Sequence, residues 1–175
     1  ILYIRNIGDD MFRKMRRKKQ ELTEKQCLDI LRRAKTATLA LSGDDGYPYS
    51  VPMNFVYEDG KIYFHGAKEG HKIDAIKNNP KVSMSIIDQE DVIEEELTTY
   101  FRSVILFGKA RILQEDDEIY HAIETLGLKY NEDEVTVEKE IRKEWKILCC
   151  VEITIEHISG KQAIELVNKN YQDLF

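Results

Sequence analysis

The fold class that this sequence predicts is mainly β: a small closed or split antiparallel barrel with flanking helices. Three observations lead there. Short runs of alternating residues recur at regular spacing from Thr36 onward, the pattern of a barrel or sandwich. The links are mostly hairpins or short crossings, as at Glu58-Asp59-Gly60, so the sheet is largely antiparallel. Pro48 and Pro52 interrupt one run. A proline lacks the N–H of a central ladder, so that run is an edge, a bulge or a ligand-facing segment.

Size and charge narrow the function. The chain has 175 residues and 20.5 kDa, enough for one sizeable core and short for two. Hydrophobic residues make up 42% and charged residues 33%, the balance of a soluble globular domain. A net charge of -6 argues against a nucleic-acid binder. No apolar run approaches the ~20 residues of a membrane span. No signal-peptide cleavage pattern is evident, so a cytoplasmic protein is expected. The three cysteines, Cys27, Cys149 and Cys150, have no metal-ligand spacing and read as free thiols. Adjacent Cys149 and Cys150 point to opposite faces of a strand and cannot easily pair.

Taken in order, residues 1–10 precede Met11 and are set aside as upstream or extraneous sequence. They form, with 11–19, a basic arm in which Arg13 to Lys19 holds six basic residues in seven, read as a solvated terminus. A single domain is expected over 20–168 and a polar tail over 169–175. Thr23 reads as a helix N-cap before Cys27, Leu28, Ile30, Leu31 and Ala34. Thr36 to Ser42 is a strand with Ala37, Leu39 and Leu41 on one face. Thr38 and Ala40 on its other face leave room for something flat. Tyr47 to Tyr57 is the proline-interrupted strand. Lys81 to Asp88 is another, followed by an acidic loop, Asp88 to Glu96, with six carboxylates in nine residues. That density implies a solvated segment, and it lacks the glycine and spacing of a calcium loop, so no metal is expected. Ser103 to Gln114 is a long strand in which Gly108 marks a bulge or close approach. Helices are expected over Asp116 to Lys129 and Glu134 to Glu144, a strand over Ile147 to His157, and a short helix over Ser159 to Val167.

The stretch Lys61 to Pro80, KIYFHGAKEGHKIDAIKNNP, carries the chemistry. Ile62 and Phe64 alternate with Tyr63 and His65, as in a half-buried strand. Gly66 and Gly70 bracket a loop, and a helix follows from Ile73 until Asn78-Asn79-Pro80 stops it. A strand running through a glycine loop into a helix N-terminus can make an anion site, because free N–H groups and the helix dipole converge there. Lys68 and Lys72 add charge. An ordinary solvated connection has the same pattern.

At this point the residues carry a resemblance. SVPMNFVYEDGKIYFHGAKEGHKIDAIKNNPKVS, YFRSVILFGKARIL and VEITIEHISGKQAIELV resemble the flavin-binding split-barrel family that includes pyridoxamine-phosphate oxidase, and within it the nitroimidazole-resistance (Nim) branch. The most specific parts are Gly70 to Asp74, Arg102 to Arg111 and the HISGKQAIELV segment. The resemblance, spanning about residues 20–168, implies a homodimer with FMN at the subunit interface. It implies that Ser50, Val51, Pro52 and Met53 lie along the isoalloxazine edge. It implies that His65, Gly66, Ala67, His71 and Lys72 hold the phosphate, and that Ser103, Ile105 and Trp145 approach the flavin from the partner subunit. Trp145 has an equal alternative as a core or interface anchor.

The implied activity is that of an FMN-dependent oxidoreductase, with nitro compounds such as 5-nitroimidazoles as a substrate class. A flavin or haem binding protein without turnover is the alternative reading. Pyridoxamine-phosphate oxidase itself fits less well. Its arginine-rich C-terminal segment has no counterpart, since the last arginine here is Arg142. Of four histidines, His121 reads as surface and His157 as structural. The resemblance makes His71 the candidate general acid, or equally a phosphate or ribityl ligand.

Overall fold

The computed structural model describes residues 11–167. The expected tail and the first ten residues of the arm lie outside them. Helix α1 (Glu24–Arg33) leads into β1 (Thr36–Ser42), β2 (Pro48–Asn54), β3 (Val56–Glu58) and β4 (Lys61–Ala67). Then come α2 (His71–Asn78), β5 (Lys81–Ile93), β6 (Thr98–Ile112), α3 (Asp116–Tyr130), α4 (Glu134–Glu144) and β7 (Leu148–Gln162). All strand pairs are antiparallel, in one sheet of order β2-β1-β5-β6-β7-β4-β3. The two outer strands, β2 and β3, are consecutive in the chain and separated only by Phe55. The sheet therefore curls until its edges meet at that residue without pairing. This is the expected split barrel.

The barrel core takes Leu39, Ile62, Phe64, Met84, Ile86, Val104, Leu106, Val151 and Ile153 from alternate strand positions. Helix α1 contributes Cys27, Ile30 and Leu31. Its start is fixed by a capping box: Gln26 N–H donates to Thr23 Oγ1 at 3.3 Å, and Thr23 N–H donates to Gln26 Oε1 at 2.8 Å. A second cluster lies on the other face of β3, β4 and β7, where Val56, Tyr63, Leu148 and Cys150 meet Ile123, Leu126, Val137 and Ile141 of α3 and α4. The strand read as half-buried is thus buried on both faces at Ile62–Phe64, because α3 covers the side that alternation left to solvent. Cys149 belongs to the first cluster and Cys150 to the second.

Three expectations are corrected. The proline-bearing run breaks at Phe55 into β2 and β3. The acidic segment is largely strand, since β5 continues to Ile93 and pairs with Thr98–Arg102 of β6 across a bulge at Ile87/Gln89. Thr98, Thr99, Tyr100 and Phe101 favour the extended state, and cross-strand pairing separates the carboxylates onto alternate sides. Asp88 is not solvated: its carboxylate takes two bonds from Arg33, at 2.7 and 2.6 Å. Finally, the helix expected over Ser159–Val167 is the end of β7, paired with β6 from Ile105↔Ser159 to Arg102↔Gln162, with a short turn at Ile164–Leu166. A long ladder outweighs weak local propensity. At Gly108, a bulge sits in the β6–β7 ladder, and a β-carbon would come 2.3 Å from the Thr154 carbonyl oxygen.

The meeting point at Phe55 is clamped by the end of α3. Tyr130 Oη donates to the carbonyl of Lys35 and accepts from Phe55 N–H at 3.1 Å. Lys129 Nζ donates to the carbonyls of Ala34 at 2.6 Å and Phe55 at 2.9 Å, and lies 4.1 Å from the Phe55 ring centroid. Burial pushes this ammonium down to about 8 from the ordinary 10.5. Between those values the unfolded chain holds a proton that the folded chain has released, so stability from this group rises as pH climbs from about 8 to 10.5 and is lost as pH falls through 8. Lys129→Met should flatten that rise in denaturant titrations. It should also destabilise the fold by about 1–3 kcal/mol, by stranding the carbonyls.

Candidate functional site

The chain from β4 to α2 forms a cradle. β4 runs to Ala67, and Gly70 (φ 125°) turns the chain into α2, starting the helix two residues earlier than its apolar pattern suggests. No side chain caps this helix, and the first amides of a helix have no carbonyl of their own. Lys72 folds back over the strand. A β-carbon on Gly66 would come 3.1 Å from Lys72 Nζ, and the ammonium lies 5.6 Å from the Phe64 ring centroid. Glycine at position 66 is what lets the ammonium sit against the backbone. An unblocked helix N-terminus, a close backbone and a lysine together favour an anion.

His71 opens α2. Its ring stacks on Tyr49 of β2, with centroids 4.1 Å apart and 14° between planes, and its Nε2 lies 3.6 Å from the Asp44 carboxylate. Tyr49 thus ties the cradle to β2, a contact that the sequence pattern alone did not reveal. A signal for it exists: Tyr49, Val51 and Met53 alternate towards the core, and all three pack against it. Ser50 and Pro52 are exposed on the opposite face. Val51 and Met53 therefore offer the outer edge their main chain, not their side chains. β2 pairs only with β1, so its other edge is open.

The outer face of the sheet continues from Ser50 and Pro52. In register, Pro52 faces Thr38, Thr38 faces Ser85, Ser85 faces Ile105, and Ile105 faces Ser159. Ser103 lies on the same face of β6, between Ile87 and Lys161. Ile87, Ile105 and Phe107 are 60%, 45% and 38% exposed here. At its far side Phe12 stacks on His157, with centroids 4.7 Å apart. The basic side chains from Arg13 to Lys19 are all exposed. Trp145 is elsewhere, half-buried at the end of α4 against the second cluster and near Tyr120. His121 is a surface residue, bonded to Glu58 at 2.6 Å.

Beside the cradle is a cavity of about 800 Å³ between α3, α4 and the barrel. Val56 of β3 pairs with Tyr63 of β4; Asn54, at the end of β2, and His65, two residues beyond Tyr63, both line this cavity. His65 thus stands between cavity and cradle. Its rim is exposed, yet desolvation and then the Lys72 ammonium push the imidazole below its usual value, against Glu144. Nothing in the local sequence signals the cavity, which exists only once α3 and α4 dock on β4. Among the described residues, no group of three or more His, Cys, Asp or Glu side chains is placed to hold a metal ion.

A family profile described as pyridoxamine 5'-phosphate oxidase matches residues 23–162. The chain belongs to this family. A curated relative, an uncharacterised protein of Rhizobium meliloti (strain 1021), is 27% identical over 100 residues, 57% of this chain and 61% of that protein. Similar solved structures include a candidate 5-nitroimidazole antibiotic resistance protein from Bacteroides thetaiotaomicron, with a TM-score of 0.67, 21% identity, and 81% of this chain and 85% of that one covered. The FAD and haem binding protein of Mycobacterium smegmatis has a TM-score of 0.68, 21% identity and 83% and 73% coverage. A FAD-binding protein of Mesorhizobium loti has a TM-score of 0.59, 22% identity and 82% and 97% coverage. These structures share the pyridoxamine 5'-phosphate oxidase-like split barrel. No helix among the described residues is long and apolar enough to cross a membrane.

The charges around His65 make its titration a local probe. Followed by NMR, His65 should titrate below the usual histidine value of 6.5. Lys72→Met should move it up, and Glu144→Gln should move it down. Unmoved titration in both variants would show that neither charge reaches the ring.

Proposed function

We propose that this chain is an FMN-dependent oxidoreductase acting as a homodimer, with nitro-aromatic compounds such as 5-nitroimidazoles as its substrate class. The carrying observation is the cradle at β4–α2, where Gly66, Lys72 and the uncapped start of α2 suit a phosphate next to the open edge of β2. The family supports a flavin, as do the FAD-binding proteins of the same fold. The Bacteroides thetaiotaomicron neighbour supports the substrate class.

In this reading His65, Gly66, Ala67 and Lys72 hold the phosphate. The main chain of Ser50, Val51, Pro52 and Met53 borders the ring system. A bound flavin supplies electrons to the substrate. His71, held by its stack on Tyr49 and faced by Asp44, is the group to deliver a proton to a substrate oxygen. The outer sheet face is the subunit interface, because apolar side chains exposed together on one face favour a partner. Ser103 and Ile105 there would meet the partner's flavin. Trp145 would do so only from the helical layer, and its packing suits an anchor. The reading also places the protein in the cytoplasm.

Purified protein should be yellow, release FMN identifiable by mass, and, once reduced, be reoxidised by a 5-nitroimidazole. A colourless protein that ignores added FMN overturns the proposal. Lys72→Ala should weaken FMN binding by about 1–3 kcal/mol, the scale of a charge-assisted hydrogen bond. The Mycobacterium smegmatis neighbour favours a second reading, a flavin or haem binder without turnover. Haemin titration separates the two: tight haem binding without flavin affinity supports the second.

A further inference from the structure

The cavity and the cradle share His65 but have opposite electrostatics. On the cradle side are Lys68, Lys72 and the start of α2. On the cavity side Asn54, His65, Glu140 and Glu144 stand around an apolar floor. This lining contains two carboxylates and no lysine or arginine. Desolvation and the Lys72 ammonium both disfavour the charged form of His65. Lys143 pairs with Glu140 at 2.9 Å and lies 3.4 Å from Glu144. It is 66% exposed and is not part of the lining, so it offsets the carboxylates only from the solvent side.

A phosphate is therefore at home on one side of His65 and repelled on the other. The cavity's volume and apolar floor with a polar mouth are those of a small-molecule site. We infer that the α3–α4 cavity is a second binding site, taking an apolar, aromatic or aliphatic molecule that carries a cationic amino group and no anionic one. The apolar body lies on Leu126, Val137, Ile141 and Leu148. The ammonium sits at the mouth, against Glu140 and Glu144. This goes beyond the proposed function and does not rest on it: the cavity lining does not include His71, Tyr49 or Lys72, and the class it favours is an amine, not a nitro compound.

The test uses the protein as purified and three probes with one skeleton: 4-phenylbutylamine, 4-phenylbutan-1-ol and 4-phenylbutyrate, titrated by calorimetry. The amine should bind about tenfold or more tightly than the alcohol, and the carboxylate most weakly. The preference should shrink with added salt. Glu140→Gln with Glu144→Gln should remove it while leaving the alcohol's affinity unchanged. Both sites are on the outer part of α4, so the fold should tolerate the changes. A circular-dichroism melt checks that it does. Equal binding of amine and carboxylate, or a preference that survives the double substitution, overturns the inference. Flavin content is scored separately from visible absorbance. A flavin-free protein that keeps the amine preference sinks the flavin reading and leaves the cavity site standing. A flavin-loaded protein without the preference does the reverse.

Discussion

The arrangement of this molecule depends on how the chain is held at Phe55. There the two edges of a seven-stranded sheet come together, although β2 and β3 share no ladder with each other. Ladders hold every other strand on both sides, but this closure is held by side chains. Phe55 is fully buried, and its amide and carbonyl are engaged by Tyr130 and Lys129. The same two side chains reach the carbonyls of Ala34 and Lys35 just after α1. One pair of adjacent residues thus joins α1, α3 and both edges of the barrel.

That closure positions the site. Since β2 ends at Asn54 and β3 begins at Val56, fixing Phe55 sets the open edge of β2 beside the far end of β4. The cradle then lies next to β2, tied by the Tyr49–His71 stack, and the cavity opens at Asn54 and His65. The helices α3 and α4 cover Tyr63 and Cys150, supply the clamp, and wall the cavity. They are inserted between β6 and β7 in the chain.

Much of this is legible in the residues, where local chemistry decides the outcome. Thr23 marks the start of α1, the alternation Ala37–Leu39–Leu41 defines β1, and two prolines limit their run to an edge, a bulge or a ligand-facing segment, of which the sheet order shows the edge. The strand–glycine–helix pattern of Lys61 to Pro80 is enough to locate the cradle, because its parts are neighbours in the chain. Pairing over long sequence distances is not legible. Neither the continuation of β5 through a run of carboxylates nor that of β7 through Ser159-Gly160-Lys161 follows from its own residues. Each depends on β6 lying alongside. The cavity and the Lys129 clamp are hidden for the same reason, since they arise from residues far apart in the chain, 74 to 95 positions for the clamp. An ordinary-looking Lys129-Tyr130 pair at a helix end gives no local sign of what it closes.

The cysteine pair at the start of β7 has a further consequence. Because a strand alternates, Cys149 and Cys150 are neighbours in sequence but belong to different interiors, one inside the barrel and one under the helical layer. Burial holds both thiols above their usual value, Cys150 at about 12, so neither reacts until its own compartment opens. The chain thereby carries two built-in reporters at a single point on one strand. The order in which they become alkylated distinguishes the helices lifting off from the barrel coming apart.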